Sequence, residues 1–102
     1  MDYFVFAYGT LKDSNLRNEL LLRDVPASKA KLTGFRIDQV LLDGTYYPIA
    51  HRDPFNKKEI NGVVFKVNGR EIKILDEYES DAYKRILITL QSGQDTWLYV
   101  NA

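Results

Sequence analysis

Cysteine is absent from this 102-residue chain, and histidine occurs once, at His51. Without thiols there is no disulfide framework, no thiolate nucleophile and no cysteine-ligated zinc, and a lone histidine offers no pair for a metal. Net charge is missing too, since 14 basic side chains are matched by 14 acidic ones. A chain with no basic excess has little with which to neutralise phosphates, which argues against nucleic acid as its main partner. The apolar run near the amino end, Tyr3 to Ala7, is too short to span a bilayer and follows only Met1 and Asp2. Neither a membrane anchor nor a signal peptide is expected, and the expected compartment is the cytoplasm. No repeat, low-complexity tract or linker divides the chain, so one compact domain over residues 1–102 is the expectation.

What is present is ordinary for a globular protein: 45% hydrophobic and 13% aromatic residues, enough to bury one core. The run Tyr3-Phe4-Val5-Phe6-Ala7-Tyr8 is aromatic and β-branched and predicts a buried strand, ended by Gly9. Asp13 or Ser14 then caps a helix over roughly 15–22, with Leu16 and Leu20 four apart. Strands are expected near 30–37 and 46–50, separated by Asp43-Gly44, with a surface loop from Asp53 to Lys58 that carries Pro54 and Asn56. Another strand covers Ile60 to Val67, where Gly62 suggests a bulge. Asn68-Gly69 precedes a helix from about Arg70 to Tyr78 that brings Ile72, Leu75 and Glu79 together at three- and four-residue spacing. Strands over 85–91 and 96–100, joined through Ser92-Gly93-Gln94-Asp95, close the chain as a hairpin. This order predicts an α+β fold: a curved mixed sheet or small barrel with two short helices.

Two segments hold side chains with chemistry to offer. In Tyr8-Gly9-Thr10-Leu11-Lys12, a buried strand runs into a glycine and a hydroxyl residue. Gly9 lets the backbone turn tightly and present N–H groups, as nests and helix starts do for carboxylates and oxyanions, and Thr10 adds a hydroxyl. The plainer alternative is a strand-to-helix turn in which Thr10 satisfies local backbone, and on pattern alone it has the greater weight. No Walker signature follows. In Leu75-Asp76-Glu77-Tyr78-Glu79-Ser80, three carboxylates crowd a helix C-terminus whose dipole disfavours them, close to Tyr83 and Arg85. An acid there, among tyrosines, should have a raised pKa, which suits a proton shuttle near neutrality. The plainer alternative, again weightier on pattern alone, is a solvated acidic helix end with Arg85 paired to Asp76 or Glu77. His51, beside Arg52, reads as a solvent-exposed residue on a surface turn.

Taken together and in order, these segments resemble the γ-glutamylcyclotransferase-like superfamily, in its γ-glutamylamine cyclotransferase and AIG2-like branch. Tyr47-Pro48-x-Ala50, Gly62-Val63-Val64-Phe65-x-Val67 and the closing Trp97-Leu98-Tyr99-Val100 extend the resemblance over nearly the whole chain. The resemblance implies that Tyr8, Gly9, Thr10 and Leu11 line a pocket whose backbone amides hold a γ-glutamyl group. Glu79 would be the general acid/base, Tyr83 would flank the pocket, and Asp76 with Arg85 would be structural. The implied reaction cyclises a γ-glutamyl amine or peptide to 5-oxoproline through the substrate's own α-amine, with no metal or other cofactor. The implied partner is thus a small-molecule substrate. Asp13 and Ser14 stand where many relatives have a glycine, and Ser80 stands where glycine is common after the acid. The alternative class is a non-catalytic small-molecule-binding or regulatory domain on the same fold; retention of Glu79 favours the enzyme. A module with no small-molecule site is a third class, which a pocket lacking both Glu79 and the Tyr8–Leu11 turn would support.

Overall fold

The computed structural model describes every residue from Met1 to Ala102. In chain order its elements are β1 (Asp2–Ala7), a 3₁₀ turn (Thr10–Lys12), α1 (Ser14–Leu21), β2 (Ala27–Leu32), β3 (Phe35–Leu42), β4 (Thr45–Arg52), β5 (Ile60–Asn68), α2 (Gly69–Glu79), β6 (Tyr83–Thr89) and β7 (Asp95–Asn101). The seven strands form one mixed sheet in the order β2-β5-β1-β7-β4-β3, with β6 also paired to β7. β1 runs antiparallel to β5 from Asp2↔Asn68 to Ala7↔Val63. β7 keeps β6 along its length but is in ladder register with β1 only at Val5↔Trp97 and with β4 only at Ala50↔Val100, both in parallel. The sheet forks at β7 and curls, giving the α+β architecture with two short helices that the sequence predicts.

Alternation along the strands splits the apolar side chains between two cores. Val5, Ala7, Phe65 and Val67 face the helices and pack with Leu21, Ile72 and Leu75; Phe6, Val64, Leu98 and Val100 point into the curl with Leu32 and Phe35. Each large side chain so buried contributes about 1.5–3 kcal/mol of transfer free energy. α1 starts at Asp13, whose carboxylate accepts from the Asn15 amide at 3.0 Å. α2 starts at a capping box in which the Asn68 side chain accepts from the Glu71 amide and the Glu71 carboxylate accepts from the Asn68 amide. Arg23 clasps the same carboxylate at 2.5 Å and holds its pKa below the ordinary carboxylate value.

Three local expectations need correction. The single strand expected over 30–37 is two, β2 and β3, divided at Thr33-Gly34, where Gly34 takes a left-handed φ of 80°. Gly62 makes no bulge: β5 pairs with β2 without interruption through Ala30↔Gly62. A Cβ at Gly62 would collide first with the Ala7 carbonyl oxygen and fall 2.5 Å from Cζ of Phe6, so the glycine makes room for the backbone of β1 and for that ring. His51 lies within β4 rather than in a turn, with its side chain partly exposed and 3.6 Å from Asp38.

Candidate active site

The exit of β1, the end of α2 and the β3–β4 hairpin converge on one cavity of about 280 Å³. Tyr8, Gly9, Thr10 and Leu11 reach it from the first and Glu79 from the second, while Tyr83 joins them from the start of β6. All six positions singled out from the sequence therefore meet around one space, despite nearly 70 residues of separation between Thr10 and Tyr78, whose hydroxyls lie 3.0 Å apart across it.

Each of these residues contributes differently. The Tyr8 hydroxyl donates to the Tyr99 carbonyl at 2.6 Å and accepts from the Ala50 amide at 3.1 Å. It stitches β7 to β4 where the two strands barely pair, and its ring is left to form the wall. Burial raises its pKa. Gly9 starts the 3₁₀ turn, in which the Lys12 amide returns to the Gly9 carbonyl and the Asp13 amide to that of Thr10. As at any helix start, the amides ahead of these bonds have no partner one turn back. A Cβ at Gly9 would stand 3.2 Å from Cγ of Pro48, across the space a ligand needs. The Leu11 side chain is sunk in the helix-side core, so this residue anchors the turn. Tyr83 donates its hydroxyl to the Pro48 carbonyl at 3.1 Å and so ties the start of β6 to β4.

Glu79 is the last residue of α2, held there by the burial of Leu75 and Ile72, one and two turns earlier respectively. Desolvation by burial pushes its pKa up to about 7, with no hydrogen bond or opposite charge to offset it. Its charge in turn helps to raise the pKa values of Tyr8, Tyr83 and Tyr99. Asp76, three residues earlier, does something else. One of its oxygens accepts from Arg85 Nε at 2.9 Å and from the Tyr99 hydroxyl at 2.7 Å, while the Arg85 guanidinium lies 4.5 Å from the Trp97 ring centroid. Asp76 and Arg85 form an ion pair that fastens α2 to β6 and β7.

Sequence reasoning missed two parts of this arrangement. The first is the β3–β4 hairpin, which brings Leu42, Asp43, Tyr47 and Pro48 over the cavity; the Asp43-Gly44 turn was legible, but not where the hairpin would fold. The second is Arg17, only 4% exposed. Its guanidinium donates to the carbonyls of Leu11 (3.0 Å), Lys12 (2.8 Å) and Val25 (3.2 Å) and packs 5.4 Å from the Phe65 ring centroid. It thereby holds the far end of the Gly9–Lys12 turn.

Ser80 caps α2 at φ 63°, ψ −173°, a conformation essentially reserved for glycine. Such a residue stores about 1–3 kcal/mol of strain, and the Ala82 amide returns only a 3.5 Å contact to its hydroxyl. Ser80→Gly should therefore stabilise the protein despite glycine's extra unfolded-state freedom of about 0.4–1 kcal/mol. A net gain near 1 kcal/mol raises the thermal midpoint of a domain this size by about 4–8 °C. Thermal unfolding of the variant measures it, and a lowered midpoint would show that the serine side chain stabilises more than its backbone costs.

A curled mixed sheet of seven strands with two short helices is the architecture of a γ-glutamyl cyclotransferase-like domain. The chain belongs to the gamma-glutamyl cyclotransferase, AIG2-like family, whose model matches residues 5–102. It is 33% identical over 85 residues to AIG2-like protein A of Arabidopsis thaliana, covering 82% of this chain and 49% of that protein. AIG2-like protein C of the same plant is 36% identical over 84 residues, covering 81% and 46%. The chain thus spans about half the length of these curated relatives. Among solved structures, one from Arabidopsis thaliana superposes with a TM-score of 0.78 at 26% identity, covering 98% of this chain and 68% of the other. A solved gamma-glutamyl cyclotransferase shares the fold with a TM-score of 0.74 at 21% identity, covering 100% and 68%. No helix is long and apolar enough to cross a membrane.

Proposed function

We propose that this chain cyclises γ-glutamyl amines or γ-glutamyl peptides to 5-oxoproline, with Glu79 as the general acid/base. The observation that carries this reading is a single half-buried carboxyl with a pKa near 7, unpaired and on one cavity with the Gly9–Leu11 turn. The substrate's α-amine attacks its own γ-carbonyl carbon, a carbon–nitrogen bond closes the five-membered lactam, and the bond to the departing amine breaks. The attacking nitrogen loses two protons on going from α-ammonium to lactam N–H; one reaches the leaving nitrogen as its bond breaks, and the second leaves the freed amine as an ammonium. An α-ammonium ordinarily titrates at about 7.7–8.0, close to Glu79, so the transfer is nearly balanced in both directions. Tyr8 and Tyr83 wall the folded conformer, and well-oriented intramolecular attack is worth on the order of 7–11 kcal/mol. Amides of the Gly9–Leu11 turn face the developing oxyanion, where one donor is typically worth about 3–4 kcal/mol. The cavity is at the small end of ligand sites, which span about 300–1,000 Å³, and suits the γ-glutamyl head with the amine outside.

A panel of γ-glutamyl compounds, each free or N-acetylated at the α-amine, tests the reading. Free compounds should release amine and 5-oxoproline one for one. The acetylated forms should release neither, because an amide nitrogen is a poor nucleophile. Equal hydrolysis of both forms, yielding glutamate from the free compounds and N-acetylglutamate from the acetylated ones, would replace cyclisation with an ordinary amidase.

A further inference from the structure

We infer that Asp43 selects the departing amine by the charge at its far end, favouring an arm that ends in a cation over one that ends in a carboxylate. The inference rests on the cyclotransferase reading for its substrate but on separate observations for its direction.

The first observation is the charge of the lining. Sixteen residues line the cavity, and among them are two carboxyls, Glu79 and Asp43, and no lysine, arginine or histidine. The two acids stand at different depths. Glu79 is partly buried, whereas Asp43 is exposed at the tip of the β3–β4 hairpin. A γ-glutamyl head whose α-ammonium meets Glu79 therefore sends its leaving arm outward, past Asp43.

The second observation is that Asp43 is held in place. β3 ends at Leu42 and β4 begins at Thr45, opposite each other in the ladder, so only Asp43 and Gly44 make the turn. Their φ values of 49° and 79° are both left-handed, as a two-residue type I′ turn requires. Leu42 and Tyr47, on the two strands flanking that turn, also line the cavity and fix the hairpin over it. The Asp43 carboxylate takes part in none of the protein's six ion pairs. The other exposed polar residues of the lining, Thr10, Tyr47, Tyr78 and Ser80, offer hydroxyls and no countercharge. An arm carrying an ammonium gains an unshared partner there; an arm carrying a carboxylate meets a like charge with nothing to neutralise it.

Three γ-glutamyl amides that differ only at the arm's end test this: those of 1,4-diaminobutane, n-pentylamine and 5-aminopentanoate, with the same four methylenes before an ammonium, a methyl or a carboxylate. One exposed charge pair is worth roughly two- to fivefold, so attraction and repulsion together should separate the ammonium and carboxylate arms by about tenfold in kcat/KM at low salt, with the methyl between. The spread should shrink in 0.5 M salt, where the Debye length falls to about 4 Å. Asp43→Asn, which retains a residue tolerant of left-handed backbone, should bring the arms to within about twofold of one another. Equal rates for the three arms, or an undiminished spread in Asp43→Asn, would overturn the role of Asp43 while leaving the cyclotransferase reading intact. Calorimetric affinities for the same amides read the charge preference without turnover. The same order in binding, with no 5-oxoproline formed, would support Asp43 and overturn the catalytic reading alone.

Discussion

Glu79→Gln is expected to lower turnover by about 10²–10⁴-fold, the usual worth of a general acid/base, while making the protein more stable above pH 7. Both effects have one cause. Burial raises the Glu79 pKa from 4.5 to about 7, so between those values the folded protein keeps a proton that the unfolded chain has released. Stability therefore falls as pH rises through that window, and above pH 7 the whole cost of ionising the buried acid is present. A pKa difference of one between the folded and unfolded states is worth about 1.4 kcal/mol. With allowance for partial contact with solvent, the cost for Glu79 is about 2 kcal/mol. Glutamine has the same shape and no charge to desolvate. Urea unfolding at pH 8 should show the variant ahead by about this amount, and at pH 4 the two proteins should nearly coincide. Glu77→Gln, two residues away and exposed, should alter neither turnover nor stability. Equal losses of activity in the two variants would mean that the wrong acid has been chosen.

Arg17→Met should destabilise the protein by about 2–4 kcal/mol. Methionine replaces most of the apolar stem but leaves the carbonyls of Leu11, Lys12 and Val25 without their donor. Hydrogen bonds to a charged group are worth about 1.5–3 kcal/mol each, and contact with the Phe65 ring is lost as well. Against these stands the cost of burying the guanidinium, which lowers its own pKa and is relieved on substitution, so the net loss is smaller than the sum. Arg17→Lys should recover less than half, because one ammonium cannot reproduce a planar fork reaching three carbonyls. Denaturant midpoints give the stability. Turnover of still-folded Arg17→Met should fall further than its unfolded fraction explains, since the Gly9–Lys12 turn loses its tether. A stability change below about 0.5 kcal/mol would mean that water satisfies these carbonyls as well as Arg17 does.

Local signals read well where a single element explains them. The aromatic run beginning at Tyr3 is β1, Asp13 is a cap, and Asn68-Gly69 opens α2. The division between β2 and β3 was missed although a sign of it is present. Leu32 and Phe35 both face the curl, and two inward residues three apart cannot share one strand of period two. On α1, Leu16 and Leu20 pack against the core, but the buried centre of the helix is Arg17 and Leu21, and an arginine does not announce burial. Gly62 depends on the Phe6 ring, 56 positions away, and no local pattern carries that. Glu79 stands out from its two neighbouring acids in the sequence only by resemblance to a family pattern. What separates it physically, burial for Glu79 against pairing for Asp76 and exposure for Glu77, exists only once α2 is packed against the sheet.

The central claim is that Glu79 moves a proton during cyclisation, and the pH dependence of 5-oxoproline release tests it most directly. With a free γ-glutamyl amine as substrate, kcat/KM should climb through about pH 7, the value burial gives Glu79, rather than level off near an ordinary glutamate's pKa of about 4.3. In Glu79→Gln the ascending limb set by this group should disappear together with most of the rate. Folded protein that binds the compound yet forms no 5-oxoproline at any pH would contradict the account and leave a binding domain in its place.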